Sequence, residues 1–361
     1  MENQYVKQFP EMLKGKTMMY VHGFGSSGQS GTVKRLRTVF PNTKVVAPDL
    51  PVHPAEAQEL LRKLCAEEKP QLILGTSMGG MYTEQLYGFD RICINPALCI
   101  ADTMAAHGMT GIQQFQNPRQ DGVQEFYVDK AMVKEYREVS EHRFSGLASL
   151  SPEALDEECR RVFGLFGDRD DVVDTFDLFQ SHYPQAAHFH GEHRMDDRSF
   201  MHAVVPVIRW IDDRQEGRER PIVYIGMESL SPTLSKGKGD VPRIGMESLS
   251  PTLSKGKGDM PRSSAQKAVR MLIEYYQVYF VAPLPWGGDG GRLILSWLEE
   301  YVNVPAWRHT IFTDRRQLLY GDYLIEMEKT EGAMATRIAF GSDTFKTWDD
   351  IIDYFALLGG Q

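Results

Sequence analysis

The sequence predicts an α/β protein of two domains, each built on a mainly parallel sheet. The chain has 361 residues, and because roughly 150 residues per domain is usual, two domains or three are expected. From residue 17 to about residue 210, short β-rich apolar runs alternate with amphipathic stretches, which is the pattern of βαβ units. A charged linker, 214–220, then separates this first domain, 1–213, from a smaller domain, 221–361, with a similar alternation.

Composition and charge are those of an ordinary globular chain, with 42% apolar and 25% charged residues. The 40 basic and 49 acidic side chains give a net charge of -9, so we expect neither nucleic acid nor an anionic membrane surface as a partner. The chain shows no apolar run of signal-peptide length, and no window approaches the ~20 apolar residues of a membrane span. The four cysteines lack metal-binding or redox spacing. We therefore expect a cytoplasmic chain with reduced thiols.

Six strands and at least two helices are predicted in the first domain. The predicted strands are 17–22, 44–47, 71–75, 91–94, 162–166 and 187–190, and the predicted helices are 55–65 and 78–87. One insertion, 101–152, interrupts the alternation with polar, helical-looking sequence. Such an insertion usually lies over a sheet edge as a cap. The alternative is a surface excursion with no role in chemistry.

The second domain alternates again and contains a tandem repeat. Its predicted elements are 265–276, 278–281, 293–301, 310–313, 323–325, 337–340 and 348–358. Residues 225–243 recur as 244–262 with changes only at Val241 and Met260. Two copies are too few for a solenoid. The Ser, Gly, Lys and Pro content predicts that at least one copy is an exposed, mobile loop.

A G-x-S-x-G motif carries the sharpest chemical signal. Gly75, Ser77 and Gly79 stand between a predicted strand and a predicted amphipathic helix. At such a tight turn a serine hydroxyl projects out of the sheet, small glycines let the turn form, and the helix N-terminus favours developing negative charge. The motif predicts Ser77 as a nucleophile.

A serine nucleophile needs a base, and the base needs an orienting carboxylate. In an α/β-hydrolase the chain order is serine, acid, histidine. His193 occupies the loop after the last predicted strand of the first domain and is therefore the predicted base. The alternatives are His188, His190 and His202.

The acid is predicted in a G-x-x-D loop after the strand 162–166. Asp170 fits the spacing best, but three further carboxylates crowd the same loop. These alternative acids are Asp168, Asp171 and Asp174.

Acyl transfer also needs hydrogen-bond donors for the tetrahedral oxyanion. They are normally the backbone N–H of the residue after the nucleophile and an N–H from a loop after an early strand. The loop 22–27 follows the first predicted strand. The predicted donors are therefore Met78 and Phe24.

Residues 17–211 resemble the small α/β-hydrolase esterases of the YqiA type. The segments that carry this resemblance are 19–31, 47–61, 74–82, 94–98 and 191–193. It implies an α/β-hydrolase fold with a helical cap, and hydrolysis of carboxylic esters or thioesters without a metal or organic cofactor. The family's nucleophile, base and H-G-F loop carry over to Ser77, His193 and Phe24. The acid loop here is richer in acids than the family pattern, so the choice of Asp170 stays open.

Residues 278–358 resemble the C-terminal half of the cytosolic 5'(3')-deoxyribonucleotidases, which are HAD-type phosphatases. The segments that carry this resemblance are 278–286, 296–302, 308–325 and 338–355. It implies a HAD-like three-layer α/β domain. It does not by itself imply phosphatase activity.

The second domain departs from that family at its catalytic positions. Gly226 and Glu228 stand where the family has its two catalytic Asp residues, and Ala282 and Pro283 stand where it has a hydroxyl. Mg²⁺ prefers closely placed oxygen ligands, yet the expected carboxylate pair is Glu326 and Met327. The basic position survives as Arg316. We expect an inactive domain, either with Arg316 as a remnant that binds an anion or serving only to pack and stabilise.

The sequence thus predicts a serine ester or thioester hydrolase that acts on a small acyl substrate through an acyl-enzyme. Two alternatives remain open. One is a non-catalytic binding or scaffold protein with two degenerate enzyme domains. The other is Mg²⁺-dependent 5'-nucleotidase activity in the second domain.

Overall fold

The computed structural model describes residues 6–231, 261–284, 290–306 and 308–358. Two compact units make up the chain, Met1–Asp212 and Asp213–Gln361. Most of the tandem repeat, 232–260, lies outside the described residues, so its predicted exposure is untested. In the part of the chain that is described, no helix has the length and apolar character needed to cross a membrane.

A parallel six-stranded sheet forms the centre of the first unit. Its order is β2-β1-β3-β4-β7-β8, while β5 and β6 pair as a separate antiparallel hairpin. Central strands such as β1 are buried on both faces, which explains why they read as continuous apolar runs. The strands are β1 (Thr17–Val21), β2 (Lys44–Val46), β3 (Leu72–Thr76), β4 (Arg91–Ile94), β5 (Gly111–Gln114), β6 (Glu125–Val128), β7 (Val162–Gly167) and β8 (Ala186–Phe189).

Helices cover both faces of this sheet, which confirms the predicted α/β-hydrolase fold. The last one, α9, ends at Glu216, so the predicted linker 214–220 begins inside a helix. A π-helical turn, Phe200–Val204, joins α8 to α9. The helices are α1 (Gly31–Val39), α2 (Pro54–Glu68), α3 (Met78–Glu84), α4 (Ile100–Ala106), α5 (Lys130–Glu141), α6 (Pro152–Arg161), α7 (Phe176–Gln180), α8 (Asp197–Ser199) and α9 (Val205–Glu216).

The sequence predicts a helical insertion over 101–152, but the structure shows that the insertion is only partly helical. It contains α4 and α5, but between them lies the hairpin of β5 and β6. The run Glu-Phe-Tyr-Val of β6 is aromatic and β-branched, a composition that favours an extended strand. Its buried side chain Val128 packs in the same apolar cluster as Met132 of α5.

The second unit is built on a parallel five-stranded sheet of order β11-β10-β9-β12-β13. One apolar cluster of buried side chains, including Trp348 and Phe355, packs α11 and α13 with these strands. A π-helical turn, Leu298–Val302, follows α12. The elements are β9 (Ile222–Gly226), α10 (Met227–Leu230), α11 (Ala265–Tyr275), β10 (Gln277–Ala282), α12 (Gly290–Trp297), β11 (Thr310–Phe312), a short 3-10 turn (Arg316–Leu318), β12 (Tyr320–Glu326), β13 (Met334–Ala339) and α13 (Trp348–Leu357).

A buried ion pair ties α6 to β4 in the first unit. The Arg91 side chain is fully buried, and its guanidinium pairs with the Glu158 carboxylate and donates to the backbone oxygen of Glu84. Glu158 also accepts the N–H of Gly88 at 3.2 Å. Since a buried charge without its partner is costly, this pair is a sensitive point of the fold.

Glu158→Gln is expected to lower the free energy of unfolding by about 3 kcal/mol, because it leaves the buried Arg91 charge without the opposing charge of Glu158. Glu157→Gln is the matched control, since Glu157 forms an exposed helical pair with Arg161 and such pairs contribute less than about 1 kcal/mol. Urea unfolding of both variants tests the expectation. Equal midpoints for the two variants would contradict it.

Candidate active site

Ser77 lies at the sharp turn between β3 and α3. Its backbone has φ 55° and ψ -122°, a region that costs energy for any residue other than glycine. Four backbone hydrogen bonds hold this conformation. The Ser77 N–H donates to the oxygen of Ile94 at 2.9 Å, and the Ser77 oxygen accepts from the N–H groups of Gly80, Met81 and Ala97 at 2.9, 3.2 and 3.0 Å.

The two glycines of the motif are required by close backbone packing. A Cβ on Gly75 would lie 2.3 Å from the backbone oxygen of Gly79, and one on Gly79 would lie 2.1 Å from the backbone oxygen of Val21. Contacts this short cannot be accommodated by a rotation of one side chain. The start of α3 can therefore sit against the end of β1 only because residue 79 has no side chain.

Ser77, His193 and Asp170 form a continuous hydrogen-bonded line. His193 Nε2 lies 3.0 Å from Ser77 Oγ, and His193 Nδ1 lies 2.8 Å from Asp170 Oδ2. The side chains of His193 and Asp170 are only 18% and 4% exposed. With the proton on Nδ1, His193 donates to the carboxylate and Nε2 is left to accept the Ser77 proton.

The Asp170 carboxylate is held by the backbone as well as by His193. Its Oδ1 accepts the N–H groups of Val172 and Val173 at 2.8 and 3.0 Å. Burial opposes the charge of Asp170, but the hydrogen bonds from His193, Val173 and Val172 outweigh it and hold the pKa of Asp170 below its ordinary value. This carboxylate is therefore ionised at neutral pH and fixed in orientation.

The alternative acids lie elsewhere. Asp168 Oδ2 is 2.8 Å from His190 Nδ1, and its Oδ1 accepts the N–H of Gly191 at 2.9 Å. Asp171 and Asp174 are exposed. Asp168 thus faces the neighbouring histidine of the base loop, not His193.

The alternative bases have other surroundings. His190 is the histidine that faces Asp168, and the ring of His188 packs 3.9 Å from the ring of Phe176. His202 lies in the π-helical turn between α8 and α9. Of the four candidate histidines, His193 is the one whose ring contacts Ser77.

The loop after β1 runs directly past the nucleophile. A Cβ on Gly23 would lie 3.2 Å from the Cβ of Ser77. Phe24 follows on this loop, and Met78 is the first residue of α3, whose N–H has no partner within the helix. Within the described ranges, neither the Phe24 N–H nor the Met78 N–H donates a hydrogen bond to another protein atom. Both groups are therefore able to donate a hydrogen bond to a ligand oxygen.

His22 shapes this loop, a role that sequence reasoning missed. The buried ring donates from Nδ1 to the backbone oxygen of Gly23 at 2.8 Å and accepts the N–H of Leu50 on Nε2 at 3.0 Å. Burial lowers the pKa of His22 to about 4, so the ring is neutral and its single proton lies on Nδ1. The sequence signal was the histidine directly before the glycine of the loop.

The insertion contacts the same loop and the base loop. Gln116, between β5 and β6, donates its N–H to the backbone oxygen of Gly25 at 2.8 Å, and its side-chain oxygen accepts from Arg194 at 2.7 Å. The rings of Phe24 and Phe126 pack edge to face with centroids 5.2 Å apart. The insertion thus lies beside Ser77 and His193 and not on a distant surface.

Apolar side chains from the site loops and from the insertion belong to one cluster. The loop after β1, α3 and the loop after β7 each supply members, and so do α4, the hairpin and α5. Members of this cluster include Phe24, Met78, Ala97, Met104, Met109, Phe126, Val172 and Val173. The loops of the site and the insertion therefore share one apolar core.

In the second unit, the positions that correspond to the catalytic residues of the deoxyribonucleotidases lie around an ion pair between Glu228 and Arg316. Arg316 donates both terminal nitrogens to the two carboxylate oxygens of Glu228, each at 2.7 Å. A Cβ on Gly226 would lie 2.4 Å from Glu228 Oε1. Glu326 lies 3.9 Å from Arg316 and pairs with Arg337 at 3.0 Å. The Arg316 guanidinium, predicted as an anion-binding remnant, is therefore already bound to a carboxylate of its own chain.

No group of His, Cys, Asp and Glu able to hold a metal ion occurs in the regions that the structure covers. In the second unit the two carboxylates nearest Arg316 are Glu228 and Glu326, and each is held by an arginine. The negative charge of each carboxylate is thus paired with the guanidinium group of an arginine in the same unit.

Comparison with known proteins identifies relatives for both units. Residues 17–190 match the model of an uncharacterised protein family, UPF0227. The C-terminal part is similar to the "Putative 5'(3')-deoxyribonucleotidase" of Vibrio phage KVP40, at 28% identity over 165 residues, which is 43% of this chain and 95% of the phage protein.

Two solved structures are similar to about half of this chain. The thioesterase domain from the curacin biosynthetic pathway has 16% identity and a TM-score of 0.32, covering 52% of this chain and 88% of its own. Est1E from Butyrivibrio proteoclasticus has 14% identity and a TM-score of 0.35, covering 58% and 91%. The family match and the phage relative confirm that the first unit resembles the YqiA-type α/β-hydrolases and the second the deoxyribonucleotidases.

Proposed function

We propose that the first unit is a serine hydrolase of carboxylic esters or thioesters. The observation that carries this proposal is the line from Ser77 Oγ through His193 to Asp170, with distances of 3.0 and 2.8 Å. The three residues follow β3, β8 and β7, so they meet at the carboxyl edge of one parallel sheet. This edge is where sheets of this class bind ligands.

The proposed reaction proceeds through an acyl-enzyme. Ser77 Oγ attacks the substrate carbonyl carbon while its proton passes to His193 Nε2. The carbonyl oxygen becomes an oxyanion and accepts the N–H groups of Phe24 and Met78. The intermediate then collapses, and the departing alcohol or thiol takes the proton from His193.

Water completes the cycle by the same steps. His193 removes a proton from a water molecule, the hydroxide attacks the acyl carbon, and the released serine oxygen recovers the proton. Asp170 stays ionised throughout and keeps the Nδ1 proton of His193 in place. This chemistry uses side chains and backbone groups of the chain alone, so the proposal includes no metal or organic cofactor.

We also propose that residues 221–361 form a domain without phosphatase chemistry of its own. Gly226 supplies no nucleophile, and the Glu228 carboxylate lies where a side chain at 226 would have to go. The same carboxylate neutralises Arg316. We therefore disfavour a Mg²⁺-dependent nucleotidase, for which release of phosphate from a deoxynucleoside monophosphate would be the decisive positive result.

Covalent labelling by a fluorophosphonate tests the proposed hydrolase. We expect the intact chain and the control Ser199→Ala to be labelled, and Ser77→Ala to remain unlabelled. Ser199 is a fair control because it is a buried serine that donates to the backbone oxygen of His190, in the base loop. Equal labelling of Ser77→Ala, or no labelling of the folded intact chain, would contradict the proposal and favour a scaffold role.

A further inference from the structure

Asn95 lies between the elements that carry the nucleophile and those that carry the acid and the base. It directly follows β4, which pairs with β3 on one side and with β7 on the other. Its side chain is buried, and its backbone has φ 43°. Asparagine tolerates this left-handed conformation better than most residues do.

The Asn95 carboxamide connects the acid loop with the base loop. Its Oδ1 accepts the N–H of Gly167, the last residue of β7, at 2.7 Å. Its Nδ2 donates to the backbone oxygens of Glu192 and His193 at 3.2 and 3.0 Å. One side chain therefore holds the backbone of the base itself and the last residue of β7, directly before the loop that carries Asp170.

The backbone on either side of Asn95 holds the nucleophile. Ile94 accepts the N–H of Ser77, and Ala97 donates its N–H to the Ser77 oxygen. Pro96 packs so closely on α3 that a Cβ on Gly80 would lie 2.9 Å from its Cα. The segment 94–97 thus makes hydrogen bonds to the turn that carries Ser77, to the end of β7 before Asp170, and to the loop that carries His193.

We propose that Asn95 is a positioning residue that sets the distance between His193 Nε2 and Ser77 Oγ. This inference rests on the proposed hydrolase function. Only a carboxamide offers one acceptor and two donors in this fixed arrangement. An aspartate of the same shape would point acceptors at two carbonyl oxygens, so the base loop would be pushed away from Ser77.

Asn95→Asp and Asn95→Gly test this role. The first keeps the shape and reverses the donors, and the second removes the amide while permitting the backbone conformation. A displacement of about 1 Å at a reacting group costs about 100-fold, so we expect kcat to fall about 10- to 100-fold in each variant. KM should stay within about twofold, because Asn95 contacts backbone groups of the protein and its replacement changes no side chain of the apolar cluster beside the site.

Gln185→Glu is the matched control. The buried Gln185 amide donates to the backbone oxygens of Cys159, Arg160 and Val162 at 3.1, 3.0 and 3.1 Å. These contacts lie at the amino ends of β7 and β8, the edge of the sheet opposite the triad. Gln185→Glu and Asn95→Asp each place a carboxylate against backbone oxygens, so both should lower the unfolding midpoint. The kcat of folded Gln185→Glu should nevertheless stay within about twofold.

Hydrolysis of p-nitrophenyl butyrate at 25 °C, with folded fractions measured by circular dichroism, gives the required constants. If Ser77→Ala hydrolyses the ester as fast as the intact chain, the proposed function is wrong, and the role of Asn95, which rests on it, is wrong as well. If hydrolysis depends on Ser77 but both Asn95 variants keep kcat, the positioning role alone is overturned. An equal loss of kcat in Gln185→Glu would also overturn it, since that loss would be structural.

Discussion

Replacing His193 by alanine is expected to lower kcat for ester hydrolysis by about 10⁴- to 10⁶-fold. Without the ring, the Ser77 hydroxyl has no acceptor for its proton at 3.0 Å. The remaining rate would come from the N–H groups of Phe24 and Met78 and from substrate binding, which typically leave about 10³- to 10⁴-fold over water. KM is expected to change little, since His193 touches the reacting atoms and not the acyl group.

Two comparisons separate loss of the base from general damage. If Ser77 and His193 act as a unit, the double variant Ser77→Ala with His193→Ala should be no slower than either single variant. His190→Ala is the matched control, because His190 lies in the same loop but its ring pairs with Asp168. A loss in His190→Ala as large as that in His193→Ala would contradict the assignment of the base.

The predictable part of the site is the part encoded by local geometry. A G-x-S-x-G motif between a strand and a helix requires the close approach that Gly75 and Gly79 make, so Ser77 could be located from the sequence. The existence of the central strands also follows from local signals, because β1, β3, β4 and β7 are short apolar runs. The same signals placed His193 after the last strand of the sheet.

The unpredictable part depends on contacts across the fold. Asp168 and Asp170 are two residues apart in one loop, and spacing along the chain does not say which carboxylate faces which histidine. Only the folded loop shows Asp168 at His190 and Asp170 at His193. Asn95 was hidden for the same reason, because its partners lie about 70 and 100 residues further along the chain.

In the second unit, too, residue types could be predicted from the sequence but contacts between distant residues could not. The missing nucleophile at Gly226 could be predicted by comparing residue types with a family pattern. The pairing of Glu228 with Arg316 could not, because the two residues are 88 positions apart and on different elements. The sequence left Arg316 as an anion-binding remnant, whereas the fold provides it with an internal carboxylate.

Asp170→Asn is expected to lower kcat by about 10³- to 10⁴-fold, with little change in fold. Oδ1 of residue 170 accepts the N–H groups of Val172 and Val173. An asparagine keeps these two bonds only if its oxygen faces the backbone and its NH₂ faces His193. The NH₂ then donates to Nδ1, the ring proton moves to Nε2, and the ring can no longer accept the proton of Ser77.

Asp168→Asn separates the two carboxylates. Asp168 faces His190 and Gly191, so its loss should slow hydrolysis by less than about tenfold, through a small shift of the base loop. Because the defect in Asp170→Asn is a misplaced proton and not a missing charge, raising the pH from 6 to 9 should not restore its rate. A larger loss in Asp168→Asn than in Asp170→Asn would identify Asp168 as the acid and require the base loop to rearrange when substrate binds. Retention of activity in both variants would instead direct the search to the exposed carboxylates Asp171 and Asp174.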